Sequence, residues 1–352
     1  MGKIWAWAKW PFAIAILALL YWQNRDNLQD VFTRQKDWGL LGAALLLCLV
    51  STLLTFARWY LLVRAQNFVF RLGDAIQLGF VGLLFNYVGP GAVGGDVAKA
   101  WMLAQKQGRL TVAVATVVLD RILGLLALFA VGAVATLLHP PLPNIPELRI
   151  TTALLWIGTI AGLIGLGVLL TPAITHHRWV RAIEGWRFVG KPFGEMLHGV
   201  ELYQSRRGVL LAALGLSLAG HLGLIGGFYL GACAMQPVVP SLLTHFYFMP
   251  IAELFSVLIP TPGGIGALEG AIQRFYVSLM GGVLPVEAAR AAGFVAAMAF
   301  RVVQLLIAAM GAVSFLFYRQ EIRAAIAAAE AASHEPQPVP ASQAASLPHS
   351  PS

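Results

Sequence analysis

Charge is what this sequence has least of. Only 11% of its 352 residues are Asp, Glu, Lys or Arg, where a soluble domain carries about a quarter. That scarcity excludes a chain solvated chiefly by water. Cysteine is nearly absent too, and the two present, Cys48 and Cys233, lie far apart inside apolar runs, which excludes a disulfide framework and a thiolate metal centre. No His or Cys spacing resembles a zinc site, and no D-x-D pair offers a metal to a sugar nucleotide, so no cofactor is expected. His221, in mid-run, reads as a packed or hydrogen-bonded histidine, and His176-His177 as part of a connection.

What the sequence does have is apolar length, with 58% hydrophobic residues arranged in long runs separated by short charged connections. A membrane helix needs roughly 20 apolar residues, whereas a spanning barrel would show short alternating segments. The fold class is therefore an all-α polytopic membrane protein. The net charge of +8 would admit nucleic acid, but the basic residues sit between apolar runs, where they orient helices in the bilayer. No nucleic-acid partner is expected. The first apolar run, Pro11 to Trp22, follows Lys3 and Lys9 as in a signal peptide, yet no small-x-small cleavage site comes before Gln23, so it reads as a retained helix.

Full spans are predicted at about 4–22, 39–57, 111–138, 150–171, 208–235 and 289–318. The stretches 75–107 and 243–280 differ. Pro90, Gly91, Gly94 and Gly95 interrupt the first, and Pro262, Gly263, Gly264 and Gly266 the second, leaving short arms either side. Interrupted segments survive at membrane depth where protein or a wet cavity satisfies the freed backbone. The count is thus six full spans plus two re-entrant hairpins, or eight spans. Lys and Arg fall on one side of this map, which makes both termini cytoplasmic.

The order span, span, broken segment, span occurs twice with opposite orientation. Residues 1–138 and 150–318 are accordingly read as halves of an inverted repeat. An acid follows each Pro/Gly cluster, Asp96 and Glu269, and an arginine follows within the next span, Arg121 and Arg301. Residues 319–352 form a cytoplasmic tail, helical from Tyr318 to Ala332 and rich in Pro, Ser and Gln beyond His334.

Charges at mid-bilayer are expensive and need a partner or a polar cavity. Arg121 has Asp120 beside it, and Arg301 has Glu253 or Glu269 within reach; two guanidiniums, one per half, would also hold a lipid phosphate through paired hydrogen bonds. Glu269 is either a proton-coupling carboxylate or the partner of Arg274 or Arg301. Gly89, Gly91 and Gly94 formally spell the dinucleotide fingerprint, but no strand precedes them. The segment starting at Asp96 is instead a helix break made for packing, or a half-helix N-terminus that favours anions, with Lys99 adding positive charge. Arg58-Trp59-Tyr60 reads as an interfacial anchor closing the second span.

Arg58-Trp59, Gly94-Gly95-Asp96 with Lys99, Asp120-Arg121 with Gly124, and Pro262-Gly263-Gly264-Ile265-Gly266 with Glu269 together resemble the lysylphosphatidylglycerol synthase transmembrane family over roughly residues 10–320. The resemblance implies a flippase-like membrane domain, since a similar domain moves aminoacylated phosphatidylglycerol in the bacterial multiple peptide resistance factor. There an aminoacyl transferase domain follows, whereas here residues 319–352 follow the last span, so synthase activity is not implied. Archaeal relatives are linked to dolichol-phosphate sugar transfer. The family more often carries arginine where Lys99 stands, which keeps the charge and loses the guanidinium fork.

The expected function is a transporter, not an enzyme. It would move a phospholipid or polyprenyl-linked head group across the cell membrane, with Arg121 and Arg301 on phosphate and Asp96, Lys99 and Glu269 shaping the site. The alternative is a membrane-embedded glycosyltransferase or lipid-modifying transferase.

Overall fold

A computed structural model of the chain describes residues 14, 18–22, 35–88, 94–138, 146–175, 177, 190–259 and 261–334. The regular structure of these residues is all helical, with no strand among them. The predicted 4–22 span falls mostly outside them, as do Pro90, Gly91 and the Pro/Ser-rich tail.

Helix α1 (Trp38–Ala65) begins where Asp37 caps it, its carboxylate accepting from the Leu40 amide at 3.0 Å. Its 28 residues extend past the predicted end at 57, so Arg58 lies inside the helix and is buried. After Asn67, α2 (Leu72–Val88) and α3 (Gly94–Gln107) flank the first Pro/Gly cluster and pack on each other. Gly94 and Gly95, predicted as part of the break, instead form the first turn of α3. The Gly95 amide donates to Asn86 Oδ1 at 2.9 Å, and a Cβ at Gly95 would collide with the Gly82 carbonyl.

Helices α4 (Leu110–Leu138) and α5 (Pro146–Leu170) follow, both apolar. In α4, 61% of the most apolar window is buried, against 11% in α5. α4 is therefore the central post, and α5 turns most of its surface outward as a lipid-facing helix does. Between α5 and the next span, where hydropathy predicts only a charged connection, α6 (Pro172–Thr175) and α7 (Gly190–Ser205) occur. α7 is too polar to register as a span; Tyr203 ties it down by donating to the Leu62 carbonyl at 2.9 Å.

Helix α8 (Arg207–Met235) makes the most extensive helix pair with α1. Small residues allow it, since a Cβ at Gly227 would strike Cys48 and one at Gly223 would strike Ser51. Helix α9 (Leu242–Leu258) is 17 residues long and then stops. Ile259 is extended, Pro262–Gly264 form a single 3-10 turn, and Gly263, Gly264 and Gly266 take φ of 57°, 68° and 87°. Side-chain-bearing residues avoid that region. Helix α10 (Ala267–Met280) restarts from Gly266 and packs against α11 (Val286–His334), which runs through the last span and on through the predicted helical extension. Among the described residues, five helices (α1, α4, α5, α8 and α11) are long and apolar enough to cross a membrane.

Candidate functional site

Between α1, α2, α3, α4, α8, α9 and α11 lies a cavity of about 310 Å³. In a chain with so few charges its walls are unusually ionic. Arg58, Asp96, Lys99, Asp120, Arg121, Glu253 and Arg301 all reach it, with His221 among the neutral polar groups.

One side of the chamber is a chain of ion pairs. Arg58 donates through Nε to Asp120 Oδ1 at 2.7 Å and through Nη1 to Ser217 Oγ at 2.9 Å. Lys99 Nζ stands 3.8 Å from Asp120 Oδ2 and 3.4 Å from Asp96 Oδ1, and lies over the Trp59 ring. Arg121 Nε closes the series on Asp96 Oδ2 at 2.5 Å. The sequence neighbours Asp120 and Arg121 thus do not pair with each other. Successive helical residues point about 100° apart, so Asp120 turns to α1 while Arg121 turns to α3. Arg121 remains reachable, its side chain 44% exposed. It is the twelfth residue of the 29-residue α4, roughly 17 Å along a helix rising 1.5 Å per residue and so near its middle.

Across the chamber, Arg301 is consumed by its neighbours. Its Nε donates to Glu269 Oε1 at 2.6 Å, Nη1 to the Gly263 carbonyl at 2.7 Å and to Gln304 Oε1 at 3.2 Å, and Nη2 to the Gly264 carbonyl at 3.3 Å. Glu269 Oε2 accepts from the Gly266 amide at 2.7 Å. The pair therefore satisfies the backbone groups that the second Pro/Gly break leaves bare, as buried polar groups require. The Arg301 side chain is 4% exposed and Glu269 is fully buried.

Glu253 was a candidate partner for Arg301, but Glu269 holds that place. Glu253 lines the cavity with Oε1 buried and without a hydrogen-bond partner. Arg274 pairs not with Glu269 but with Glu147 at 2.5 Å, at an exposed position away from the chamber. His221 Nε2 donates to the Gly124 carbonyl at 3.0 Å, so the histidine is hydrogen-bonded and also faces the cavity.

Sequence reasoning missed Arg58. Hydropathy ends the span at 57, one residue before it, and so makes Arg58 look like an interfacial anchor. The usable signal was the buried acid Asp120, which needs a cation from some other helix once Arg121 is turned away. Among the described residues no three His, Cys, Asp or Glu side chains converge as a metal-ligand set.

An all-helical, multi-pass membrane protein with a charged chamber among its helices is the class this fold and site define. The chain matches the Lysylphosphatidylglycerol synthase TM region family over residues 10–311, and it belongs to that family. It is also similar to a UPF0104 membrane protein of Pyrococcus horikoshii, 30% identical over 111 residues, a stretch covering 31% of this chain and 33% of that relative. The match spans about a third of the relative's length. No solved structure matches the chain.

Proposed function

We propose that this protein moves a phospholipid or lipid-linked head group across the cell membrane, the head group passing through the chamber while its acyl chains stay in lipid. The observation that carries this reading is Arg121. Ionisable side chains within membrane spans that open on a polar cavity mark substrate or ion pathways, whereas a pair that only joins helices can be closed over by packing. Here an arginine near the middle of α4 faces a cavity with 44% of its side chain open. Among the described residues its Nη atoms make no hydrogen bond, while Nε rests on Asp96. A guanidinium so placed can accept a phosphodiester in its fork.

Lys99 adds charge beside it, and Asp96 is the group that a phosphate would displace or share. Membership in a family named for lysylphosphatidylglycerol synthase supports a lipid partner. In this reading the two halves, 1–138 and 150–318, are inverted copies whose rocking exposes the chamber alternately, both termini are cytoplasmic, and α2–α3 and α9–α10 are the broken segments that each half contributes. Arg301 and Glu269 brace the site and do not bind substrate directly.

The test is transbilayer movement of fluorescent phospholipids in proteoliposomes holding the purified chain. Wild-type protein speeds the movement and Arg121→Ala does not. An Arg121→Ala protein that folds normally and moves lipid at the wild-type rate removes this residue from the mechanism. Product formation from a polyprenyl-phosphate sugar would replace transport with transfer.

A further inference from the structure

Glu253 is the one chamber carboxylate that no ion pair uses. Asp96, Asp120 and Glu269 each lie within 4.0 Å of a cationic side chain, but among the described residues Glu253 makes neither an ion pair nor a side-chain hydrogen bond, and its Oε1 is sealed from solvent. An unsatisfied buried carboxylate oxygen is rare enough in folded proteins to need an explanation.

Its surroundings supply one. The guanidiniums whose charge bears most on Glu253 are Arg301 on α11 and Arg121 on α4, the two arginines on opposite walls of the cavity. Cys48 on α1 and Tyr87 on α2 also feel its charge; His221 faces the same space from α8, and Lys99 and Asp96 face it from α3. With every group ionised, the four cations Arg58, Lys99, Arg121 and Arg301 meet the four carboxylates Asp96, Asp120, Glu253 and Glu269, and the chamber is neutral. A neutral chamber carries no net charge to offset that of a phosphodiester. One proton on Glu253 leaves one positive charge in excess, which equals the single negative charge of a phosphodiester head group.

We propose that Glu253 is the proton-binding residue of the chamber, taking up one proton as an anionic phosphodiester lipid binds and releasing it when the lipid leaves. The proton comes from water on the side to which the chamber is open, adds to a carboxylate oxygen, and returns to water on the other side; no covalent bond of the lipid changes. Lipid movement is thereby coupled to a proton gradient. The inference rests on the transport reading above and adds its energy source.

Two measurements test it on the full-length chain. In detergent, binding of phosphatidylglycerol to the wild type weakens as pH rises, by up to about tenfold per pH unit for one linked proton. Glu253→Gln, a permanent mimic of the protonated acid, binds with a flat profile, whereas His221→Asn keeps the slope. In proteoliposomes, an imposed pH gradient accelerates fluorescent phosphatidylglycerol movement by the wild type, with protons carried along as an internal pH dye reports, and Glu253→Gln loses both the acceleration and the dye signal. A wild type that moves lipid at one rate with or without the gradient, and binds it equally at all pH values, overturns the proton coupling and leaves transport standing. Absence of lipid movement under every condition overturns both. A slope that vanishes in His221→Asn and persists in Glu253→Gln assigns the proton to the histidine and overturns the proposal.

Discussion

Asp96–Arg121 and Glu269–Arg301 are built alike. In each, the acid is the third residue of a helix that follows a Pro/Gly segment, and the arginine of the next long helix donates to it through Nε, at 2.5 and 2.6 Å. They differ in what the rest of the guanidinium does. Arg301 spends both Nη groups on Gly263, Gly264 and Gln304 and its side chain is 4% exposed, while Arg121 makes no such bonds among the described residues and its side chain is 44% exposed. Under the transport proposed above, the same pair is a brace in one place and an open binding group in the other. Arg301 finds its extra partners in the left-handed turn at Gly263 and Gly264, which offers it carbonyls.

The strongest way to break the comparison is to remove each arginine in turn. Arg301→Ala leaves Glu269 as an uncompensated buried charge and two carbonyls bare, so a loss of about 3–5 kcal/mol is expected. Thermal unfolding in detergent measures it. Arg121→Ala is expected to leave the melting temperature nearly unchanged, because Asp96 keeps Lys99 at 3.4 Å. It should instead slow lipid movement by about 100-fold, as loss of a charge-assisted contact of roughly 2–3 kcal/mol implies.

Gly263→Ala sharpens the contrast from the backbone side. The new Cβ meets the Tyr87 ring and sits at φ 57°, so a destabilisation of about 1–3 kcal/mol should appear in the same unfolding assay. Arg121→Lys keeps the charge and loses the fork. Transport should then fall less than in Arg121→Ala, by about tenfold if one hydrogen bond of roughly 1.4 kcal/mol is lost. The smallest effect is at Arg274. Its pair with Glu147 is exposed on both sides, and Arg274→Ala should leave both melting temperature and lipid movement where they were.

The long spans were legible because their signal is local. Predicted runs at 111–138 and 208–235 agree with α4 and α8 to within one residue, since hydropathy alone decides where helices of that length can sit in lipid. Boundaries set by a charged residue fared worse. Arg58 reads as the end of a span because arginines usually lie at span ends, and nothing in its own neighbourhood reveals that Asp120 and Ser217 wait for it 62 and 159 residues away. Helix α7 escaped notice for a related reason, being held by contacts such as Tyr203 to Leu62 and not by a long apolar run of its own.

The sequence by itself determined the solvent and the class. With charge this sparse and apolar runs this long, helices in a bilayer are the arrangement that satisfies every backbone amide, whichever way they pack. It also placed acids and arginines after two Pro/Gly clusters. Only the tertiary structure decided which acid meets which cation, which arginine stays open and which carboxylate is left over. Those choices depend on the rotation of each helix and the approach of distant ones, and a side chain's partner across a helix interface leaves no periodic mark in its own segment.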